Sequence, residues 1–346
     1  MAVNRDPRSS LVLGASVCAV LAALLAAPAG VPAPSSVHAL ASQQSADEVV
    51  ANLAAGRVAV LIAKDGIAVA TAQSQVEPGT LPPLIVPLGS LRVAVLLGPV
   101  EWTWPGTSRP PLRLDAEIRR ISPGGRRAAN SSDYAIPATD IETIGLGFLE
   151  PLRNAAALLH GPLHLQPHEL FTELLLVDYA PDYGPEAWSL RYRAEQELMR
   201  GDFYRTAVHR PEYVQLYPPD KGQPKTLMET TYPPNDPGEP AILDLLKAND
   251  SRLAALRNAD PGMGRAADLL VRGESQKIKI EDGLELLRAA FQTVTPHDAR
   301  QMILKITVQD GMKWVLGEGE VTPLSPQQQK ESQSAAPTLR KKPSPR

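Results

Sequence analysis

The sequence predicts an α+β fold in which helices are layered over largely antiparallel sheets. Three observations support this prediction. Short apolar, β-prone runs are joined by tight turns, so neighbouring strands along the chain are expected to pair. Amphipathic helical patterns come in separate blocks between groups of strands, which is typical of α+β proteins. The 34 prolines and 24 glycines favour short elements separated by turns.

Two Asp-Gly turns predict β-hairpins near the two ends of the globular part of the chain. The first joins Arg57–Ala63 to Ile67–Ala72 through Lys64-Asp65-Gly66. The second, at Asp310-Gly311, follows the alternating run Leu304–Val308 and leads into Lys313–Leu316. Asp-Gly between two such runs is a strong hairpin signal. Further strands are predicted at Leu91–Leu97, Glu173–Val177, Trp188–Tyr192, Phe203–Val208 and Tyr213–Tyr217.

The helical spacing of apolar residues predicts helices in the middle and the second half of the chain. The first has apolar residues at helical spacing from Ile141 to Leu152, and Pro151 is expected to kink or end this segment, with resumption of the helix to Leu159 as the open alternative. The other predicted helices are Ile242–Leu256, Arg265–Arg272 and Ile280–Phe291, and the predicted loops are Pro105–Tyr134 and Leu216–Pro240.

The two ends of the chain predict export and a polar tail. Arg5 and Arg8 precede an uncharged apolar run of 17 residues, Leu11–Ala27, and small residues follow up to Ala41. This pattern is typical of a secretory signal peptide, so residues 1–41 are predicted to be removed. An uncleaved membrane anchor is the alternative reading of the same run. Residues 42–320 are then expected to form a single α+β domain with Pro-rich loops. Residues 321–346 form a basic Pro/Gln/Ser tail that is predicted to be disordered.

Charge and cysteine content exclude several kinds of site. The formal net charge is −3, which gives no electrostatic basis for nucleic-acid binding. Cys18 is the one cysteine, and it lies inside the apolar run of the signal. A mature chain without it has no disulfide, no cysteine nucleophile and no cysteine ligand for zinc. No cofactor-binding motif is recognised, and after cleavage of the signal no membrane contact is expected.

The segment Arg57–Gln73 resembles the opening hairpin of proteasome-type subunits, which belong to the N-terminal-nucleophile hydrolases. That family opens with a strand, Lys-Asp-Gly and a second strand of small and branched residues, as at Lys64-Asp65-Gly66 and Ile67–Ala72. Val93–Gly98 is similar to the following strand, which ends in glycine in the family. Glu281–Phe291 is similar to its late helix and Met302–Leu316 to its closing hairpin. The resemblance implies an αββα sandwich, with two sheets flanked by helices.

The chemistry of that family does not carry over to this sequence. Its active site needs an N-terminal Thr whose hydroxyl attacks and whose free amine acts as the base. It also needs an Asp after the second strand and a Lys on the third. Counting from Lys64, these positions fall at Gly56, at Ala72 and in Leu84–Leu88, where the required side chains are missing. The sequence therefore predicts no catalytic residues of this type.

Three other groups of residues are candidate sites. His160, His164 and His168 are four residues apart and would line one face of a helix as metal ligands. Gly161, Pro162 and Pro167 interrupt that helix, so scattered loop histidines are the competing interpretation. The others are the carboxylates Asp178, Asp182 and Glu186, which a polar turn also explains, and Trp102 and Trp104, which line a groove or pack in the core.

These observations leave two function classes. The first is an exported, non-catalytic protein with a proteasome-like fold that acts in binding or assembly, with a protein partner or with further copies of itself. The second is an exported hydrolase whose site is unrecognised or assisted by a metal at His160, His164 and His168. The loss of the family's catalytic positions favours the first.

The signal-peptide interpretation predicts the mass of the mature protein. Because the small-residue site ends at Ala41, the exported chain is expected to begin near Ser42. Intact-mass spectrometry of the exported protein measures this directly. A mass that still includes Leu11–Ala27 would show that the apolar run is retained as an anchor.

Overall fold

The structure is a computed structural model. It describes residues 49–73, 79–104, 107–121, 138–160, 169–180, 184–201, 203–219, 227–233, 241–248, 251, 254–255, 258, 260–295 and 299–317. All of these residues belong to one compact unit of the chain. The predicted signal peptide, residues 1–41, and the predicted tail, residues 321–346, lie outside the described residues.

Fourteen described strands form two mostly antiparallel sheets, in agreement with the α+β prediction. The smaller sheet has five strands in the order β12-β2-β3-β13-β14, and the larger has nine. The strands are β1 (Val50–Ala54), β2 (Gly56–Ile62), β3 (Ile67–Gln73), β4 (Thr80–Leu81), β5 (Leu84–Pro87), β6 (Arg92–Thr103), β7 (Leu112–Arg113), β8 (Glu169–Ala180), β9 (Gly184–Leu198), β10 (Tyr204–Val208), β11 (Glu212–Tyr217), β12 (Leu227–Tyr232), β13 (Gln301–Thr307) and β14 (Gly311–Leu316).

The described helices fall before and after the strand group β8–β12. They are α1 (Leu114–Ile121), α2 (Ala138–Ala156), α3 (Ile242–Lys247), α4 (Pro261–Val271) and α5 (Ile280–Val294), with one turn of 3₁₀-helix at Ser275–Lys277. Asp260 caps α4, because its side chain accepts hydrogen bonds from the amides of Gly262 and Met263.

The first predicted hairpin is confirmed, and its turn is fixed to α5. Strands β2 and β3 pair in register from Gly56 with Gln73 to Ile62 with Ile67. In the turn, a carboxylate oxygen of Asp65 accepts a hydrogen bond from the Ile280 amide at 2.8 Å. The Lys64 amide donates to the Ile278 carbonyl at 2.8 Å. Because Lys279, the residue before α5, provides no side-chain cap, Asp65 satisfies a helix amide from a distant part of the chain.

The second predicted hairpin is also confirmed and lies beside the first. Strand β13 pairs with β14 on one side and with β3 on the other. Gly66 stands at the point of closest approach, because a β-carbon there would lie 2.6 Å from the carbonyl oxygen of Ile306 on β13. The two hairpins therefore form one continuous sheet, and a side chain at Gly66 would push them apart.

The larger sheet is built around β6. Its first half, from Arg92 to Leu97, pairs with β8, and its second half pairs with β1 and with β7. Strand β9 pairs with β8, and both β10 and β11 pair with β9. Because β1 and β2 belong to different sheets and only Ala55 separates them, the chain passes directly from the larger sheet into the smaller one.

The buried apolar residues form three clusters. One joins α1 and α2 to the larger sheet and includes Phe148 and Trp102. A second joins α3, α4 and α5 to the smaller sheet and includes Leu61 and Phe291. The third is built from strands of both sheets and includes Val69. Alternate side chains of β2 fall into the last two clusters, as the two-residue period of a strand buried on both faces requires.

Three elements lie in segments that the sequence predicts to be loops. Helix α1 and strand β7 fall within Pro105–Tyr134, and β12 falls within Leu216–Pro240. They are short, at 8, 2 and 6 residues, so none shows enough periods to stand out from Pro-rich surroundings. Helix α2 runs through Pro151 to Ala156, so Pro151 does not end it, and the continuation agrees with the expected resumption of the helix towards Leu159. The predicted helix Ile242–Leu256 begins at Ile242 as expected: α3 covers Ile242–Lys247, and Ser251, Ala254 and Ala255 are again helical, with the residues around them outside the described part of the chain.

The contact at Gly66 predicts a large effect of a single methyl group. Gly66→Ala is expected to lower the free energy of unfolding by about 1–3 kcal/mol, because the backbone of β13 must move to make room. Urea denaturation measures the change. Gly89→Ala is the matched control, since nothing lies within 4 Å of a β-carbon at Gly89. Equal stability of the two variants would contradict the close approach.

Candidate functional site

The position that the proteasome resemblance assigns to the nucleophile is Gly56, here called the nucleophile position. Gly56 is buried, has a φ angle of 144°, which suits glycine, and begins β2 directly after β1. The preceding residues are paired on both sides: Ala54 lies opposite Gly98 of β6, and the Ala55 amide donates to the Leu81 carbonyl at 2.9 Å. The chain therefore runs through this position as a hydrogen-bonded strand.

Two polar side chains flank Gly56 across the smaller sheet. Gln73, its partner on β3, donates through Nε2 to the carbonyl oxygen and the hydroxyl of Thr80, at 3.2 and 2.8 Å. Tyr232, its partner on β12, donates its hydroxyl to the Phe171 carbonyl at 3.2 Å. Burial holds the pKa of Tyr232 above its ordinary value, so the phenol remains a neutral donor. These contacts make the nucleophile position a closed strand end.

The other two catalytic positions implied by the resemblance are apolar. Ala72, at the carboxylate position, is completely buried. The lysine position falls in β5 and the residue after it, Leu84–Leu88, where Ile85, Val86 and Leu88 are buried. None of the three positions offers a hydroxyl, a carboxylate or an amine.

The most elaborate polar group of the described residues lies between the two sheets and is centred on Glu173. This side chain of β8 is 2% exposed. Its carboxylate accepts hydrogen bonds from the hydroxyls of Ser189 at 2.5 Å and Thr230 at 3.0 Å, and the Arg191 guanidinium lies 3.5 Å away. We call Glu173, Ser189, Arg191 and Thr230 the Glu173 cluster. Since Thr230 belongs to the smaller sheet and the others to the larger, the cluster links the sheets.

The geometry of the Glu173 cluster favours a structural role, in which it holds the two sheets together, over a catalytic role. A hydroxyl beside a carboxylate is the pairing from which an activated nucleophile is built. Ser189, however, is completely buried, and its hydroxyl already donates to the carboxylate. Arg191 compensates the buried negative charge, as a desolvated carboxylate requires. Glu173 is not among the sequence candidates, although a charged residue within the apolar run LFTELLLV is an available signal.

A second buried ion pair lies on the opposite face of the smaller sheet. Arg57, 1% exposed, approaches Glu229 of β12 at 3.3 Å. The carboxylate of Glu229 also accepts hydrogen bonds from the amides of Ile242 and Leu243, at 2.9 and 3.2 Å, which are the first amides of α3. Burial raises the pKa of Glu229, and the two amides and Arg57 oppose that effect. Arg57, the nearest charged residue to Gly56, is thus engaged with a carboxylate and a helix end.

The structure places one of the three candidate metal-binding histidines. His160 follows the end of α2, is exposed, and packs the edge of its ring on Phe203, with ring centroids 6.2 Å apart. His164 and His168 lie outside the described residues. Within the part of the chain that the structure describes, no three His, Cys, Asp or Glu residues are grouped closely enough to hold a metal ion.

The fold brings two of the remaining sequence candidates, Asp178 and Glu186, next to each other across two strands. Asp178 and Glu186 lie opposite each other on β8 and β9, but Asp178 pairs with Arg92 at 3.6 Å. Asp182 lies outside the described residues. Trp102 is completely buried against α1 and α2 and lines no groove. The Trp104 ring carries the Arg109 guanidinium at 3.8 Å from its centroid.

Among the described residues, no helix has the length and apolar character needed to cross a membrane.

The raised pKa of Glu229 predicts a specific pH dependence of stability. A carboxyl group whose pKa is higher in the folded chain than in the unfolded chain is protonated to a greater extent in the folded chain. The free energy of unfolding should therefore fall as the pH rises from the ordinary pKa of 4.5 to the folded-state value. Glu229→Gln should remove this decline. The difference in the free energy of unfolding between wild type and variant should therefore change with pH between the ordinary pKa and the folded-state pKa of Glu229. Urea denaturation from about pH 4 to 7 measures it.

Glu150→Gln, at an exposed position of α2, is the control for this experiment. It should leave the pH profile of the wild type unchanged. A constant stability difference between wild type and Glu229→Gln at every pH would show that the folded-state pKa is not raised.

No known protein family matches this sequence, and no curated protein is significantly similar to it.

Proposed function

We propose that this chain is an exported protein with a proteasome-like αββα sandwich that does not hydrolyse peptides and acts in binding or assembly. The observation that carries the proposal is the closed nucleophile position. Gly56 has no hydroxyl, and the chain reaches it through β1 as a paired strand, so no free amine stands beside it. Threonine peptidase chemistry needs both groups on one residue.

The order of the elements supports the fold part of the proposal. The resemblance includes an opening hairpin and a closing hairpin. In this structure β3 of the first hairpin pairs with β13 of the second, so both lie in one sheet. The strands between them, from β5 to β11, form most of the second sheet. The three apolar clusters agree with the layers expected of such a sandwich. One lies between α1, α2 and the larger sheet, one between the two sheets, and one between the smaller sheet and α3 to α5.

The way in which the nucleophile position is closed supports a non-catalytic role. Gln73 and Tyr232, the two neighbours of Gly56, use their polar atoms to bind Thr80 and Phe171. Catalysis by groups that act as a unit collapses when members are missing, and here the hydroxyl, the carboxylate and the lysine positions are all replaced.

Exposed apolar side chains support a role in contacts with other proteins. Leu198 and Phe203 flank the turn between β9 and β10 and are 58% and 43% exposed. Val315, on the edge strand β14, is 41% exposed. Edge strands and apolar turns are surfaces on which other chains pair or pack. The partner is a second protein or further copies of this chain, and the predicted signal peptide places the encounter outside the cytoplasm.

The proposal predicts that the mature protein neither cleaves peptides nor reacts with inhibitors of N-terminal nucleophiles. The test is a screen against fluorogenic peptides, followed by intact-mass analysis after treatment with a covalent inhibitor of that class. No turnover and no added mass are expected, because no residue at the nucleophile position can form the covalent bond. Light scattering of the same sample measures self-association.

An active proteasome-type subunit, labelled and assayed in parallel, is the positive control. Stoichiometric labelling at the N-terminus of a fragment that begins between Ser42 and Thr71, together with turnover, would overturn the proposal. Activity that a chelator abolishes, and that His160→Ala reduces, would instead favour the metal-assisted hydrolase.

A further inference from the structure

We draw no further inference here: the strongest candidate, the exposed apolar turn of Leu198 and Phe203 between β9 and β10, carries none because nothing in the described part of the chain shows what covers it.

Discussion

A buried negative charge between two apolar sheets is the constraint on which much of this structure depends. Glu173 needs partners because a buried carboxylate without them destabilises the folded state. Removing one partner of a buried ion pair lowers the free energy of unfolding by on the order of 3–5 kcal/mol. Its partners come from both sheets: the Ser189 hydroxyl and the Arg191 cation from β9, and the Thr230 hydroxyl from β12. Satisfying one carboxylate thus joins the smaller sheet to the larger one by hydrogen bonds, in addition to their apolar contacts.

Two further carboxylates attach helices to the smaller sheet in the same manner. Asp65 receives the first amide of α5, and Glu229 receives the first amides of α3. Neither helix has a side-chain cap from the residue that precedes it. The helix ends are therefore oriented by the sheet on which they pack, and the sheet and its helices are expected to form together.

The parts of the fold that the sequence predicts are those carried by local signals. The two Asp-Gly hairpins and the helix beginning at Ile280 were predicted because turn residues and apolar periods lie within one segment. Strand β12 and helix α1 were missed because they are short and lie among prolines. The roles of Asp65 and Glu173 were missed for a different reason: their partners Ile280 and Thr230 are 215 and 57 residues away in the chain. Such pairings depend on how the sheets meet, which no local pattern records.

The passage of the chain from β1 into β2 has a consequence for any proteolytic event near Gly56. After a cut there, only the pairing hydrogen bonds would hold β1 to the second half of β6 and to β4. Dissociation of the cleaved strand would leave both partners unpaired on that side. The main-chain groups of β6 near Gly98 would then face solvent as a fresh open edge. Proteins with such edges recruit other strands and aggregate. Strand β1 therefore covers an edge of the larger sheet. Its removal would expose main-chain groups with which strands of other chains pair.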